Sequence, residues 1–263
     1  MKKKNVSAPE PEARPLPLKT IMALSCVAMF TLTTLLSQLY VVLDSNYLTR
    51  NELLLFVINV INTDLFENIT FAIVYSVIIY SAVIYSTKKL LAVCGIYLGL
   101  STLRRAVSVL LTLITSRGLD IELDIVNPLI YLAIEAIQML LVALVSASIG
   151  NAYKERLESK KKAALRTGSL YNDASLNFNT VLSKENPLQI CALIAGIMLS
   201  AIKVGMRISY DVTYIIVLGA PEGAAEIILM CAYYLSDVLV AALVYAASWL
   251  ILRAFVRKDT TIN

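Results

Sequence analysis

Six ionisable side chains stand inside long apolar runs: Arg104, Arg105, Glu135, Lys203, Arg207 and Asp237. A charge in hydrocarbon is costly, so each such residue marks either a solute or ion site or a pairing that cancels it. Counted along helices from the nearest basic end, Arg104, Lys203 and Asp237 each lie about 24 Å in, and Glu135 about 28 Å in. These four therefore share one layer, and Arg207 lies a turn further on, where it can snorkel to an interface.

The neighbours of these residues are polar on the same helical faces. Ser101, Arg104, Arg105, Ser108 and Thr112 follow the three- and four-residue spacing of one stripe. Tyr131, Glu135 and Gln138 form a second stripe, Ser200, Lys203 and Arg207 a third, and Tyr233, Ser236 and Asp237 a fourth, with Thr34, Ser37 and Gln38 at similar depth. Turned inward, they make a polar centre with an excess of positive charge. That centre has two readings. It binds or passes a small solute, an anionic one by the charge balance, or it is a set of structural pairs, Glu135 with Arg104 or Arg105 and Asp237 with Lys203.

Other chemistry has little support. The chain has no His, so the usual proton shuttle and commonest metal ligand are missing. No phosphate-binding loop, nucleophile elbow, zinc-protease or paired-cysteine motif occurs. Cys26, Cys94, Cys191 and Cys231 all sit in apolar runs and read as small hydrophobic residues. The expectation is a protein that is not an enzyme, has no cofactor or metal and does not bind nucleic acid.

The elements that position the charges come from the apolar runs themselves. Of 263 residues, 58% are hydrophobic and 16% charged, with a mean hydropathy of +0.73. Soluble domains carry roughly 25% charged residues, so a water-soluble globular fold is excluded. Six stretches reach the length of about 20 residues that a bilayer core requires: 20–43, 69–87, 90–115, 129–150, 188–208 and 224–255. A seventh run, 53–61, is too short to span. The predicted fold is an all-α integral membrane protein of six transmembrane helices, arranged as three hairpins.

Seventeen of the 23 basic residues fall at one side of this arrangement, in the N-terminal tail, at Lys88 and Lys89, from residue 154 to 184, and from Arg253 onward. The opposite loops hold Arg50 and Arg117 against nine acids, Asp211 among them. This asymmetry predicts cytoplasmic termini in a bacterial-type cytoplasmic membrane.

The hairpins also look related. At an offset of 99, Leu100-Ser101-Thr102-Leu103-Arg104 falls on Leu199-Ser200-Ala201-Ile202-Lys203, and at 98, Leu141-Val142-Ala143 falls on Leu239-Val240-Ala241. Parallel internal repeats are therefore expected, with units at about 16–88, 89–156 and 186–258.

Outside the spans, 1–19 reads as a basic, Pro-rich disordered tail. Helices one to four occupy 20–151, followed by a basic helical extension and flexible linker over 152–185, helices five and six over 186–255, and a short tail at 256–263. Lys160, Lys161 and Lys162 are placed to attract anionic lipid. The function expected is a transport or channel component. The alternatives are a scaffold subunit that associates with partner membrane subunits or its own copies, and a lipid-handling protein.

Overall fold

The computed structural model describes residues 16–44, 67–114, 126–166, 187–218 and 223–256. They form six helices: α1 (Leu18–Asp44), α2 (Asn68–Ile84), α3 (Thr87–Ile114), α4 (Asn127–Arg166), α5 (Pro187–Leu218) and α6 (Ala224–Phe255). No strand occurs among the described residues. The short run at 53–61, the linker at 167–183 and most of both tails lie outside them.

Four helices, α3 to α6, are long and apolar enough to cross a membrane. The six spans expected from hydropathy are thus shown only in part: α2 and the stretch Leu18–Leu32 of α1 are apolar but shorter. At 1.5 Å per residue, the 17 residues of α2 make about 26 Å. The large hydrophobic residues exposed along α3 to α6, such as Leu103, Leu144, Ile197 and Leu239, are consistent with contact with lipid.

Successive helices run up and down. Only Tyr85 and Ser86 separate α2 from α3, and the Ser86 carbonyl accepts the Lys89 and Leu90 amides at 3.0 and 3.1 Å, opening α3 without a slack loop. The start of α1 meets the end of α6, where the Leu16 amide donates to the Phe255 carbonyl at 3.3 Å. The Tyr80 hydroxyl of α2 closes the same end by donating to the Leu16 carbonyl at 3.0 Å. Lys88, Lys89 and Arg253 therefore gather at one end of the bundle, called here the basic end.

The core is built around α2, which packs on all five other helices. Its sequence explains why. A helix that is apolar all round has no face to give to solvent and belongs inside. Twelve of its residues are buried, Tyr75, Ser76 and the run Val77–Val83 among them. Small residues allow close approach. Ser76 bridges to the Ser248 carbonyl of α6 at 3.4 Å, and Ser248 returns a bond to the Ala72 carbonyl at 3.3 Å. At the α4–α2 contact, a Cβ on Gly150 would stand 3.0 Å from the Val83 Cα, so glycine is what lets the two backbones meet.

The 40-residue α4 takes in the Lys-rich stretch as far as Arg166. One boundary differs from expectation. At the other end of the bundle, α5 continues to Leu218, ten residues past the predicted limit, and carries Asp211 inside a helix instead of in a loop. The Ser209 and Thr213 hydroxyls there are satisfied within the helix by the carbonyls of Gly205 and Ser209, at 3.1 and 2.8 Å.

Candidate functional site: an intramembrane charged layer

The α3–α4 hairpin brings Arg105 and Glu135 into an ion pair, and Ser101, one turn earlier on α3, donates its hydroxyl to the same carboxylate. Glu135 thus has a donor on each oxygen. The α5–α6 hairpin repeats the motif with different groups. Arg207 donates through Nε to Asp237 Oδ2 and through Nη2 to Oδ1 at 3.3 Å, a two-pronged grip on a carboxylate whose residue is 2% exposed. The guanidinium also lies 4.7 Å from the centre of the Tyr233 ring, which adds a cation–π contact. Ser200 donates to the main-chain carbonyl of Asp237 at 2.8 Å, tying the two helices together one level below the ion pair.

Two ion pairs therefore form, one in each hairpin, and one of them has a partner other than the one read in the sequence. Asp237 pairs with Arg207, where the sequence reading had Lys203; of the two candidates for Glu135, Arg105 turns inward to it while Arg104 is exposed. The reason is side-chain direction. A helical side chain leans toward its own N-terminus. In an up–down hairpin, the outgoing cation therefore leans back while the returning acid leans forward, and the two meet across a turn of offset. Counting equal depths, which ignores the lean, selects a partner too close to the basic end. Lys203 is half-buried on the same face as Arg207.

The contacts also run in a different register from the one expected. Ser101 and Ser200 do different work, one on a carboxylate and one on a carbonyl. The ion-paired positions are Arg105 with Glu135 and Arg207 with Asp237, each separated by 30 residues, and the two pairs are offset by 102. Gln138, placed in the layer by spacing, faces α2 instead and accepts the Tyr75 hydroxyl at 3.1 Å. The side chains of Ser108, Thr112, Thr34, Ser37 and Gln38 lie outside the described set.

Hydropathy alone missed a further pair. Asp211 and Tyr234 are brought next to each other across α5 and α6, one turn beyond Arg207, and Asp211 Oδ2 is buried without a donor among the described residues. The signal was present: Lys203, Arg207 and Asp211 recur every four residues on one face. Among the described residues no group of three or more Cys, Asp or Glu could hold a metal ion.

No protein-family model, curated protein or solved structure matches this chain.

Proposed function

We propose that the chain is a non-catalytic, multi-pass membrane subunit whose charged layer holds its hairpins in register, and whose lipid-facing surfaces serve assembly with partner membrane chains. The observation that carries this reading is that each deep acid is taken up by an arginine of the preceding helix. Pairing does not change the net positive charge of these residues, but it commits Arg105 and Arg207 to carboxylates and not to a solute. A cation and an acid held in contact leave little electrostatic pull for a solute.

Placement in the membrane belongs to the same proposal. α1 and α2 pass through the bilayer with the four longer helices, the basic end is cytoplasmic, and the membrane is a bacterial-type cytoplasmic one. Lys160, Lys161 and Lys162 then stand near the inner leaflet and attract anionic lipid. The α3–α4 and α5–α6 hairpins are parallel repeats offset by 102 residues. Besides the ion pairs, this offset superposes Tyr131 on Tyr233, Val142 on Val244 and Ser146 on Ser248. It also matches burial: Val93 with Ala195, Tyr97 with Leu199, and both members of the Val and Ser pairs are all buried.

Transport is a second reading, favoured by one observation. The Asp211–Tyr234 pair extends the polar seam of α5 and α6 beyond what an ion pair needs, and it leaves a buried acceptor unfilled. Liposomes containing the purified chain alone separate the two. The scaffold reading predicts chloride, phosphate and carboxylate fluxes no greater than in protein-free vesicles. A flux that Lys203→Gln or Asp211→Asn abolishes would overturn it in favour of transport.

A further inference from the structure

Arg104 stands apart from every other charge in the layer. It is exposed on α3, beside the exposed apolar side chains of Leu103 and Val107, and makes no ion pair with any described residue. Its neighbour Arg105 is consumed by Glu135 on the inward face, so the two adjacent guanidiniums have opposite fates. A cation on a lipid-facing surface needs an anion within reach of its side chain.

The tyrosines set the depth at which that anion must lie. Tyr131 and Tyr210 are exposed near the end of the bundle remote from the basic end, at 50% and 69%. Amphipathic rings of this kind collect at headgroup level. Tyr131 precedes Glu135 by four residues, so the acid lies about 6 Å below that level. Because Arg105 and Glu135 lean toward each other, the α3 backbone at residues 104 and 105 lies no deeper than Glu135. A side chain of arginine length snorkels across such a gap. Its planar fork fits a phosphate with two parallel hydrogen bonds.

We propose that Arg104 binds the phosphate of a phospholipid headgroup in the leaflet at the far end of the bundle, pinning the depth of α3. The inference rests on the membrane placement of the helices and not on the scaffold reading, so a transporter would carry the same site. The test uses the full chain with carbon-labelled arginine in phosphatidylcholine–phosphatidylglycerol bilayers. Solid-state NMR then identifies which guanidinium carbons are dephased by lipid phosphorus. The signal lost in Arg104→Gln should be one of those dephased in the wild type, with the other arginine signals unmoved. Arg104→Lys removes the same signal while keeping the charge, so the assignment survives if the Gln variant folds poorly. A lost signal that phosphorus does not dephase would overturn the proposal. So would conversion of a dimer to a monomer by Arg104→Gln, which would assign the guanidinium to a carboxylate of a second copy.

Discussion

Glu135 and Asp237 each satisfy an arginine that would otherwise stand uncompensated in a low-dielectric interior, and removing either acid exposes that cost. Glu135→Gln should destabilise the protein by about 3–5 kcal/mol, because Arg105 keeps its charge and loses its counter-ion. Adding Arg105→Gln should recover most of that loss, and unfolding of the single and double variants in mixed micelles measures the coupling. Tyr75→Phe should cost about 1–3 kcal/mol by leaving the buried Gln138 oxygen without its donor, read in the same unfolding assay. At this scale the sequence was a good guide to which residue types would meet and a poor one to which individuals. Arg105 and Glu135 were among the expected pairs. Arg207 was set aside as a snorkelling residue because depth was counted at the backbone, whereas contact is decided at the end of a long side chain that leans. Gln138 had the right spacing for the layer and the wrong neighbour, since spacing does not say which of two adjacent helices a face will meet.

The elements were legible as apolar runs, and α2 shows what such runs conceal. Its composition marked it as a span like the rest, yet it is the shortest helix and occupies the centre. Periodicity could not reveal this, since a helix buried on every side has no amphipathic signal to read. The register between α5 and α6 depends on a comparable detail. A Cβ on Gly196 would fall 2.6 Å from the Ala241 carbonyl oxygen and 3.3 Å from the Tyr245 amide nitrogen, both backbone atoms that cannot swing aside. Gly196→Ala should therefore force the helices apart and cost about 1–3 kcal/mol. Gly95→Ala, with open space around its Cβ position, should be neutral or slightly stabilising through helix propensity. Thermal unfolding of the two alanine variants side by side checks the contrast.

For the whole molecule, the proposed topology puts the basic end in the cytoplasm, and the proposed layer holds the two ion pairs as equivalent parts. Sidedness is tested by labelling Ser175→Cys, in the connection between α4 and α5, with a membrane-impermeant thiol reagent in a background lacking the four native cysteines. Labelling only after the membrane is opened is expected for intact cells. The order of the apolar runs was visible in the sequence, but no repeat register could be chosen from it. Apolar helices align at several nearby offsets, and the proposed offset of 102 came only with the paired charges and the pattern of burial. The most direct measurement of the central claim compares the stability of four proteins in one bilayer-like medium: wild type, Glu135→Gln, Asp237→Asn, and the variant neutralised at Arg105, Glu135, Arg207 and Asp237 together. A layer of mutually compensating pairs predicts that the fourfold neutral variant is more stable than either single-acid variant and close to wild type. A fourfold variant destabilised by the sum of the two single losses or more would contradict the account, because the arginines would then not be the partners that the acids exist to neutralise.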